Sequence, residues 1–167
     1  MGVHEHHEKA RLHVGCAIVT VSDTRTEETD ESGARIRELL TEAGHEVVAY
    51  RIVRDEPALI RSVLEPLLPD AKIQAVLLNG GTGIAPRDTT FEAVRGLFEK
   101  EIEGFGELFR LLSYQEIGPA AMLSRATAGI ISGKVVISMP GSTAAVDLAM
   151  RRLVLPEIGH MVQLLRE

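Results

Sequence analysis

Short runs of apolar residues alternate along the chain with segments in which apolar residues recur at the spacing of a helix. The apolar runs predict strands at 14–22, 46–53, 73–78, 127–131 and 134–139. Helical spacing predicts helices at 34–43, 57–68, 90–99, 105–116, 119–126 and 156–165, with another after the turn at 140–143. Strands that alternate with helices predict an α/β fold: a three-layer α/β/α sandwich around a mostly parallel, Rossmann-like central sheet.

Polar residues indicate where three of these helices begin. Asp55 lies two residues before Pro57, which predicts an N-cap at Asp55 with the proline in the first helical turn. Thr89 and Glu92 have the spacing of a capping box, in which each side chain would satisfy a backbone amide at the helix start. Ser142 is predicted to cap the helix that follows it, to bind ligand, or to do both.

A length of 167 residues favours one domain that can bury a sufficient core without disulfides. We predict a flexible, polar N-terminal tail at 1–12 and a single domain at 13–167. A metal site at the tail histidines His4, His6 and His7 is the alternative. Cys16 is the only cysteine and lies in an apolar run, which predicts a buried, unreactive thiol.

The charge balance restricts the partners. A net charge of −6 and an aromatic content of 4% without tryptophan argue against nucleic acid and against an anionic membrane surface. An anionic small ligand would need backbone N–H groups, an arginine or a bound cation. No apolar run reaches the roughly 18 residues of a membrane span, and MGVHEHHEKA lacks the apolar segment of a signal peptide. We therefore expect a cytoplasmic protein.

Polar and glycine-rich segments follow the predicted parallel strands. In such folds ligands bind outside the carboxyl ends of the strands, so these segments together define the candidate site. They are Ser22-Asp23, Arg54-Asp55, the stretch from Gly80 to Asp88, and Pro140-Gly141-Ser142. A plain strand-end turn is the alternative for Ser22-Asp23.

The stretch NGGTGIAPRDTT at 79–90 is typical of an anion-binding loop. Gly80, Gly81 and Gly83 permit positive φ and let backbone amides approach a ligand, while Thr82 adds a hydroxyl. No lysine follows the glycines, so this is no Walker P-loop. The dinucleotide fingerprint also fails, because no third glycine stands at the required spacing.

Two carboxylates near this loop suggest a cation. Asp55 and Asp88 are expected at the carboxyl ends of adjacent strands, where they would face one cleft. Mg²⁺ is held by one or two carboxylates together with substrate phosphates, so a magnesium site is predicted there. Helix capping is the alternative for both aspartates.

A serine–arginine pair and one apolar helical face can each be interpreted as structural or as functional. Ser124-Arg125 provides a cation near a loop, for a structural ion pair or for ligand contact. The helical face of Phe105, Leu108, Phe109 and Leu112 is either part of the core or a subunit interface.

Seven segments in order resemble the MoaB/MogA family of molybdenum cofactor biosynthesis. They are TVSD (20–23), DESG (30–33), GGTG (80–83), PRDTT (86–90), GFGE (104–107), MLSR (122–125) and MPGST (139–143). The resemblance covers about residues 13–165. Phe91, where the family commonly has proline, is the one departure from the PRDTT segment's usual continuation.

The resemblance implies a molybdopterin-binding fold, a trimer or hexamer, and an enzymatic reaction. In that reaction molybdopterin and Mg-ATP give adenylylated molybdopterin and pyrophosphate. The two aspartates that carry activity in the family match Asp55 and Asp88, which would be catalytic and would bind Mg²⁺. Some MoaB-type members lack these aspartates and are inactive, so their presence favours an active enzyme here.

The remaining expected site residues bind molybdopterin or ATP. They are Ser22, Asp23, Gly80, Gly81, Thr82, Gly83, Ser124, Arg125, Pro140, Gly141 and Ser142. The downstream molybdate-inserting enzyme is a candidate partner. A non-catalytic molybdopterin-binding or carrier protein of the same pathway is the alternative function, and a structural oligomer is another.

Overall fold

The computed structural model describes residues 12–167, and the predicted tail histidines lie outside this range. Six strands form one sheet in the order β2-β1-β3-β6-β5-β4. The strands are β1 (Gly15–Val21), β2 (Glu46–Val53), β3 (Ala75–Asn79), β4 (Lys100–Glu101), β5 (Thr127–Ile131) and β6 (Lys134–Met139). Strands β2, β1, β3 and β6 run parallel to one another, whereas β5 pairs antiparallel with both β6 and β4.

Helices cover both faces of the sheet. They are α1 (Glu31–Glu42), α2 (Pro57–Leu64), α3 (Thr90–Arg95), α4 (Glu103–Ile117), α5 (Thr143–Ala149) and α6 (Leu155–Leu164). A 3₁₀ helix spans Gly118–Leu123, and a π-helical turn at Met150–Val154 joins α5 to α6. Among the described residues, no helix is long and apolar enough to cross a membrane.

Alternate residues of each central strand enter two separate cores. Cys16 and Ile18 pack with α1, α4, α5 and α6, while Ala17 and Val19 pack with α2 and α3. Successive strand side chains point to opposite faces, so a continuous apolar run is what a sheet covered on both sides requires. The three-layer α/β/α prediction is confirmed. Cys16 is buried as predicted, and burial raises the pKa of its thiol to about 12.

Several predicted boundaries move for local reasons. Helix α1 begins at Glu31, three residues early, because Asp30 caps it by accepting the Gly33 amide at 3.0 Å. The segment 119–126 forms only a short 3₁₀ helix, since Gly118 takes φ 71° and proline follows it. Helices α2 and α3 end four residues earlier than predicted, at Leu64 and Arg95.

Two capping predictions are wrong. Asp55 does not cap α2; the N-cap position belongs to Glu56, although Pro57 does stand in the first turn. Thr89 occupies the N-cap position of α3 but makes no side-chain cap bond, and Glu92 pairs with Arg125 instead. Ser142 caps α5 as predicted, because its Oγ accepts the Ala145 amide at 3.2 Å.

Candidate functional site

The carboxyl ends of the four parallel strands meet at one edge of the sheet. Hydrogen bonds join the segments that leave it: the Ser22 amide donates to the Val53 carbonyl at 2.8 Å, and the Gly80 amide to the Met139 carbonyl at 3.0 Å. The four segments therefore lie side by side, as the strand pattern predicted. Strand β1 separates β2 from β3, so the prediction that the two aspartates follow adjacent strands is wrong.

The glycine loop at 80–83 leaves the centre of this edge. Gly80 has φ 101° and Gly81 has φ 68°, a region that residues with a Cβ rarely adopt. A Cβ at Gly80 would overlap the Val21 carbonyl oxygen, and one at Gly81 would overlap side-chain oxygens of Asp55 and Thr90. The loop therefore needs glycine both for its backbone conformation and for the close approach of these groups.

The PGS turn packs against the glycine loop. A Cβ at Gly141 would lie 3.1 Å from the Gly80 Cα, so the two turns touch through their backbones. The Arg25 guanidinium donates to the Gly141 carbonyl at 2.9 Å and fixes this turn. Pro140, Gly141 and Ser142 are thus brought to the same place as Gly80.

Asp55 lies beneath the glycine loop and is 7% exposed. Its Oδ1 accepts two hydrogen bonds from Thr89, from the backbone N–H at 3.0 Å and from the hydroxyl at 2.6 Å. Its Oδ2 faces Gly81 and Thr90. One carboxylate oxygen is therefore held by the start of α3, and the other is directed at the glycine loop.

Asp88 has a different environment. Its Oδ2 accepts the Ala85 amide at 3.0 Å, which closes the turn after the glycines, and the same oxygen lies 2.7 Å from the position of a Cβ on Gly83. Asp88 is half-buried. The structure brings both aspartates against the same loop, Asp55 at Gly81 and Asp88 at Gly83.

Asp23 and Arg87 form an ion pair across the mouth of the site. Arg87 Nη2 donates to Asp23 Oδ2 at 2.6 Å, and the other Asp23 oxygen accepts the Asp55 amide at 3.1 Å. The Arg87 guanidinium, followed by the Asp55 amide, holds the pKa of the Asp23 carboxyl below its ordinary value. Arg87 is an exposed cation paired with Asp23, and the charges of Glu56 and Asp55 also act on it. It belongs to the PRDTT segment without having been singled out from the sequence.

Arg125 holds the loop from the other side. Its guanidinium donates to the Gly83 carbonyl at 2.9 Å and to the Asp88 carbonyl at 3.0 Å, and its backbone amide donates to the Thr82 carbonyl at 3.0 Å. It also forms an ion pair with Glu92. The structural interpretation of Arg125 is therefore the one that its contacts favour. Ser124 lies beside it and lines a neighbouring cavity of about 430 Å³.

A second cavity adjoins Asp88. It has a volume of about 420 Å³ and shares Arg125 with the first cavity. Its lining comprises Pro57, Ile84, Ala85, Pro86, Asp88, Thr89, Glu92 and Arg125. The two spaces on either side of one arginine are of a size suited to small molecules.

A buried polar network supports the glycine loop from the α1 side of the sheet, and sequence reasoning missed its role. Asn79 Nδ2 donates to Thr20 Oγ1 at 2.9 Å, and Ser32 Oγ donates to Asn79 Oδ1 at 2.7 Å. Asp30, 2% exposed, accepts from Tyr50 and from Arg25. Two signals could have found it: the DESG segment, and a polar Asn79 closing an apolar run.

The ionisation of Asp30 depends on these bonds. Burial by itself raises the pKa of the Asp30 carboxyl, but hydrogen bonds from Thr20, Tyr50, Gly33 and Ser32 outweigh it and lower the pKa. Burial and the neighbouring Asp30 charge raise the pKa of the Tyr50 phenol. The network therefore contains a carboxylate and a neutral phenol.

Two side-chain oxygen atoms pack against Gly81. Asp55 Oδ2 and Thr90 Oγ1 both approach the volume that a Gly81 side chain would fill. Thr90 is fully buried and its hydroxyl has no hydrogen-bond partner. Within residues 12–167, no group of three or more His, Cys, Asp or Glu side chains could hold a metal. A single carboxylate, Asp55 or Asp88, still fits Mg²⁺, which takes one or two protein carboxylates and completes its shell with water and substrate phosphates.

These features define a class: an α/β protein with a glycine loop over a buried carboxylate at the carboxyl edge of its sheet. A family profile described as a probable molybdopterin binding domain matches residues 17–160. The chain belongs to this family, and the resemblance drawn from its seven segments is confirmed.

Individual relatives cover nearly the whole chain. Molybdenum cofactor biosynthesis protein B of Halalkalibacterium halodurans is 57% identical over 164 residues, which are 98% of this chain and 96% of that protein. A crystal structure of a molybdenum cofactor biosynthesis protein B is 55% identical, with a TM-score of 0.91, and the match covers 93% of this chain and 98% of that one. The tungsten cofactor synthesizing protein MoaB from Pyrococcus furiosus is 39% identical, with a TM-score of 0.83 and coverage of 93% and 98%.

Proposed function

We propose that this protein acts in molybdenum cofactor biosynthesis and transfers an adenylyl group from ATP to molybdopterin, with pyrophosphate as the second product. The observation that carries the proposal is the position of Asp55. A buried carboxylate presents one oxygen to a glycine loop that can bind phosphate through its amides. Relatives called molybdenum cofactor biosynthesis protein B that match over nearly the whole chain support the pathway.

The chemistry is an in-line displacement at phosphorus. An oxygen of the molybdopterin phosphate forms a bond to the α-phosphorus of ATP, the bond from that phosphorus to the bridging oxygen breaks, and pyrophosphate leaves with the electron pair. Such transfers depend mainly on positioning and on neutralising charge, so no protein nucleophile is needed. Amides of Gly81, Thr82 and Gly83 and of the Gly141 turn would position the anions; the Gly80 amide is held by the Met139 carbonyl.

The two aspartates would have different roles. Asp55, held by Thr89, would bind Mg²⁺ through Oδ2, and Asp88 would keep the turn after the glycines closed while its other oxygen faces the same cleft. Mg²⁺, when bound, supplies positive charge to the phosphates. Arg87, exposed beside Asp23, would contribute a second positive charge at the mouth of the site.

The test is pyrophosphate release from ATP by the purified protein with molybdopterin, with and without Mg²⁺. We expect Mg²⁺-dependent release that requires both substrates. Binding of both substrates without release would contradict the transferase and leave the alternative, a non-catalytic molybdopterin-binding or carrier protein. Absence of molybdopterin binding would contradict both.

The proposal includes a homo-oligomer, either a trimer or a hexamer. Of the helical face named from the sequence, Phe105 and Phe109 belong to the core, whereas Leu108 is 50% exposed. Leu108 continues into an exposed apolar surface on α4 and the 3₁₀ helix after it, which we call the α4 surface: Leu108, Leu111, Tyr114, Ile117, Met122 and Leu123. An apolar surface of this extent is typical of a protein contact. The cytoplasmic location and the molybdate-inserting partner stay predictions.

A further inference from the structure

Each nitrogen of the Arg125 guanidinium donates to an acceptor within the protein. Nε donates to the Gly83 carbonyl at 2.9 Å, and Nη2 donates to the Asp88 carbonyl at 3.0 Å. Nη1 forms an ion pair with Glu92, which offsets the positive charge. The backbone amide of the same arginine donates to the Thr82 carbonyl at 3.0 Å. Arg125 is therefore suited to holding the glycine loop rather than to binding an anion itself.

The three carbonyls that face Arg125 also fix the direction of the N–H groups in the same peptide units. In a planar trans peptide the C=O and N–H bonds point to opposite sides. The N–H groups of Gly83, Ile84 and Thr89 are therefore turned away from Arg125. The third of them shows the effect directly, because the Thr89 N–H donates to Asp55 Oδ1 at 3.0 Å.

The other two N–H groups are available to a ligand. Within the described residues, neither the Gly83 nor the Ile84 N–H donates a hydrogen bond. Gly83 is half-buried and Ile84 is 68% exposed, so a ligand can approach them from solvent. Successive backbone N–H groups on one side of a loop suit an anion.

An aromatic ring holds the guanidinium in turn. The Arg125 Cζ lies 5.0 Å from the centroid of the Phe91 ring, within the range of a cation–π contact. Phe91 is the second residue of α3 and lines the cavity of about 430 Å³ together with Arg125. The Arg95 Cζ lies 5.4 Å from the same ring, but its guanidinium donates to Glu101 at 3.1 Å. One aromatic ring thus contacts two arginines, of which Arg125 reaches the loop.

We propose that Phe91 and Arg125 are positioning residues of the anion site. The ring holds the guanidinium, and the guanidinium directs the N–H groups of Gly83 and Ile84 toward the bound anion. This rests on the proposed function only for the identity of the anion, which is a phosphate group of the nucleotide. Arginine suits the task because its planar fork reaches two carbonyls at once, whereas a lysine offers a single compact ammonium.

The test is binding of inorganic pyrophosphate, in the presence of Mg²⁺, to the full-length protein by isothermal titration calorimetry. Arg125→Lys keeps the charge but loses the fork, so we expect the affinity to fall about tenfold or more. Phe91→Leu should lower it about threefold to fivefold, and Phe91→Tyr, which keeps an aromatic face, should stay within about twofold of wild type. Arg95→Lys is the matched control and should bind as wild type does, because Arg95 contacts the same ring without holding the loop.

A double-mutant cycle separates positioning from general destabilisation. If the ring acts through the guanidinium, Phe91→Leu combined with Arg125→Lys should lose less affinity than the product of the two single losses. Phe91→Leu combined with Arg95→Lys should lose the full product.

Four results would overturn the assignment. They are wild-type pyrophosphate affinity in Arg125→Lys, an equal loss in Arg95→Lys, losses from Phe91→Leu and Arg125→Lys that multiply, and a wild type that binds no pyrophosphate. If Arg125→Lys proves unfolded by circular dichroism, a crystal structure of wild type with pyrophosphate decides. A phosphate on the N–H groups of Gly83 and Ile84 supports the proposal, and a phosphate anywhere else refutes it.

Failure of the transferase proposal is distinguishable from failure of this one. Pyrophosphate binding that depends on Arg125, without any adenylyl transfer from ATP, would support the positioning role and contradict the reaction. Mg²⁺-dependent transfer by wild type, together with pyrophosphate affinity unchanged by Arg125→Lys, would do the reverse.

Discussion

Thr89 donates both its backbone N–H and its hydroxyl to one oxygen of Asp55, at 3.0 and 2.6 Å, across 34 residues of sequence. Hydrogen bonds to a carboxylate are stronger than those between neutral groups, and this pair is partly buried. The bonds tie the end of β2 to the start of α3. They also orient the second Asp55 oxygen toward the glycine loop, so the pair both joins two elements and prepares the site.

Removing the charge of Asp55 should abolish transfer while the fold survives. Asp55→Asn keeps an oxygen that can accept the Thr89 bonds, but it loses the negative charge for a cation. We expect pyrophosphate release to fall about 100-fold or more, with the melting temperature close to that of wild type. Pyrophosphate assay and thermal unfolding measure the two effects, and an Asn variant with wild-type turnover would remove Asp55 from the mechanism.

Asp88 offers a separate measurement. Asp88→Ala should lose adenylyl transfer but still bind molybdopterin, because it removes a carboxylate from the cleft while Arg125 continues to hold the loop carbonyls at Gly83 and position 88. Turnover in the pyrophosphate assay and molybdopterin binding by fluorescence titration should therefore separate. Unchanged turnover would show that Asp88 is not a catalytic residue.

The Thr89 hydroxyl should contribute more to the free energy of unfolding than the side chain of an exposed helix cap does. Thr89→Val loses the bond to Asp55, and we expect a loss of about 1.5–3 kcal/mol in the free energy of unfolding. Urea denaturation measures this, with Thr89→Ser expected to keep most of the stability. Glu92→Ala should cost less than Thr89→Val, because Glu92 forms only an exposed ion pair with Arg125. A loss equal to that of Thr89→Val would indicate a capping box after all.

The glycine at position 81 should resist substitution more than another glycine with the same backbone conformation. Gly81→Ala places a methyl group against Asp55 and Thr90 in addition to the strain of positive φ, whereas Gly44 has φ 83° and nothing within 4 Å of its Cβ position. We expect Gly44→Ala to cost about 1 kcal/mol with full activity, and Gly81→Ala to cost more and to abolish transfer. Equal costs in urea denaturation would show that the contacts at Gly81 are unimportant.

Acid should remove the stabilisation that Asp30 provides. Because its pKa is lower in the fold than its ordinary value of 3.8, the ionised form stabilises the native state. That contribution is present above the ordinary pKa and disappears as the pH falls through the lower, folded pKa. Urea denaturation of wild type and Asp30→Asn should give a difference in stability at pH 6 that shrinks below pH 3.8. A difference independent of pH would place the effect of the mutation in hydrogen bonding alone.

The α4 surface should decide the oligomeric state. Ile117 is 61% exposed, and Ile117→Glu puts a charge where a second copy would pack. We expect the variant to sediment as a smaller species than wild type while its circular dichroism stays the same. The exposed Leu164 at the end of α6 supplies a control, because Leu164→Glu adds the same charge to another exposed apolar position. A wild-type monomer would refute the interface.

Periodicity alone determined most of the fold. The bounds of β2, β5 and β6 agree with the predicted strands, and Ser132-Gly133 does form the turn between the last two, with φ 50° and 71°. A continuous apolar run indicates a strand that is buried on both faces, and a Ser-Gly pair between two such runs indicates a turn. Both signals depend only on residues that are neighbours in the sequence. Strand β4 has only two residues, too few to leave a pattern, and it was missed.

The sequence by itself therefore determined the elements, the family and the loop over which a ligand would bind, since each depends on local pattern or on ordered motifs. Tertiary structure alone decided the partners of the polar side chains. Asp55 and Thr89 have the local signature of helix caps, yet each finds a stronger partner in the other, since charge-assisted bonds in a buried place outweigh a cap exposed to water. The unpaired hydroxyl of Thr90 became visible in the same way, because only the folded chain shows what surrounds it.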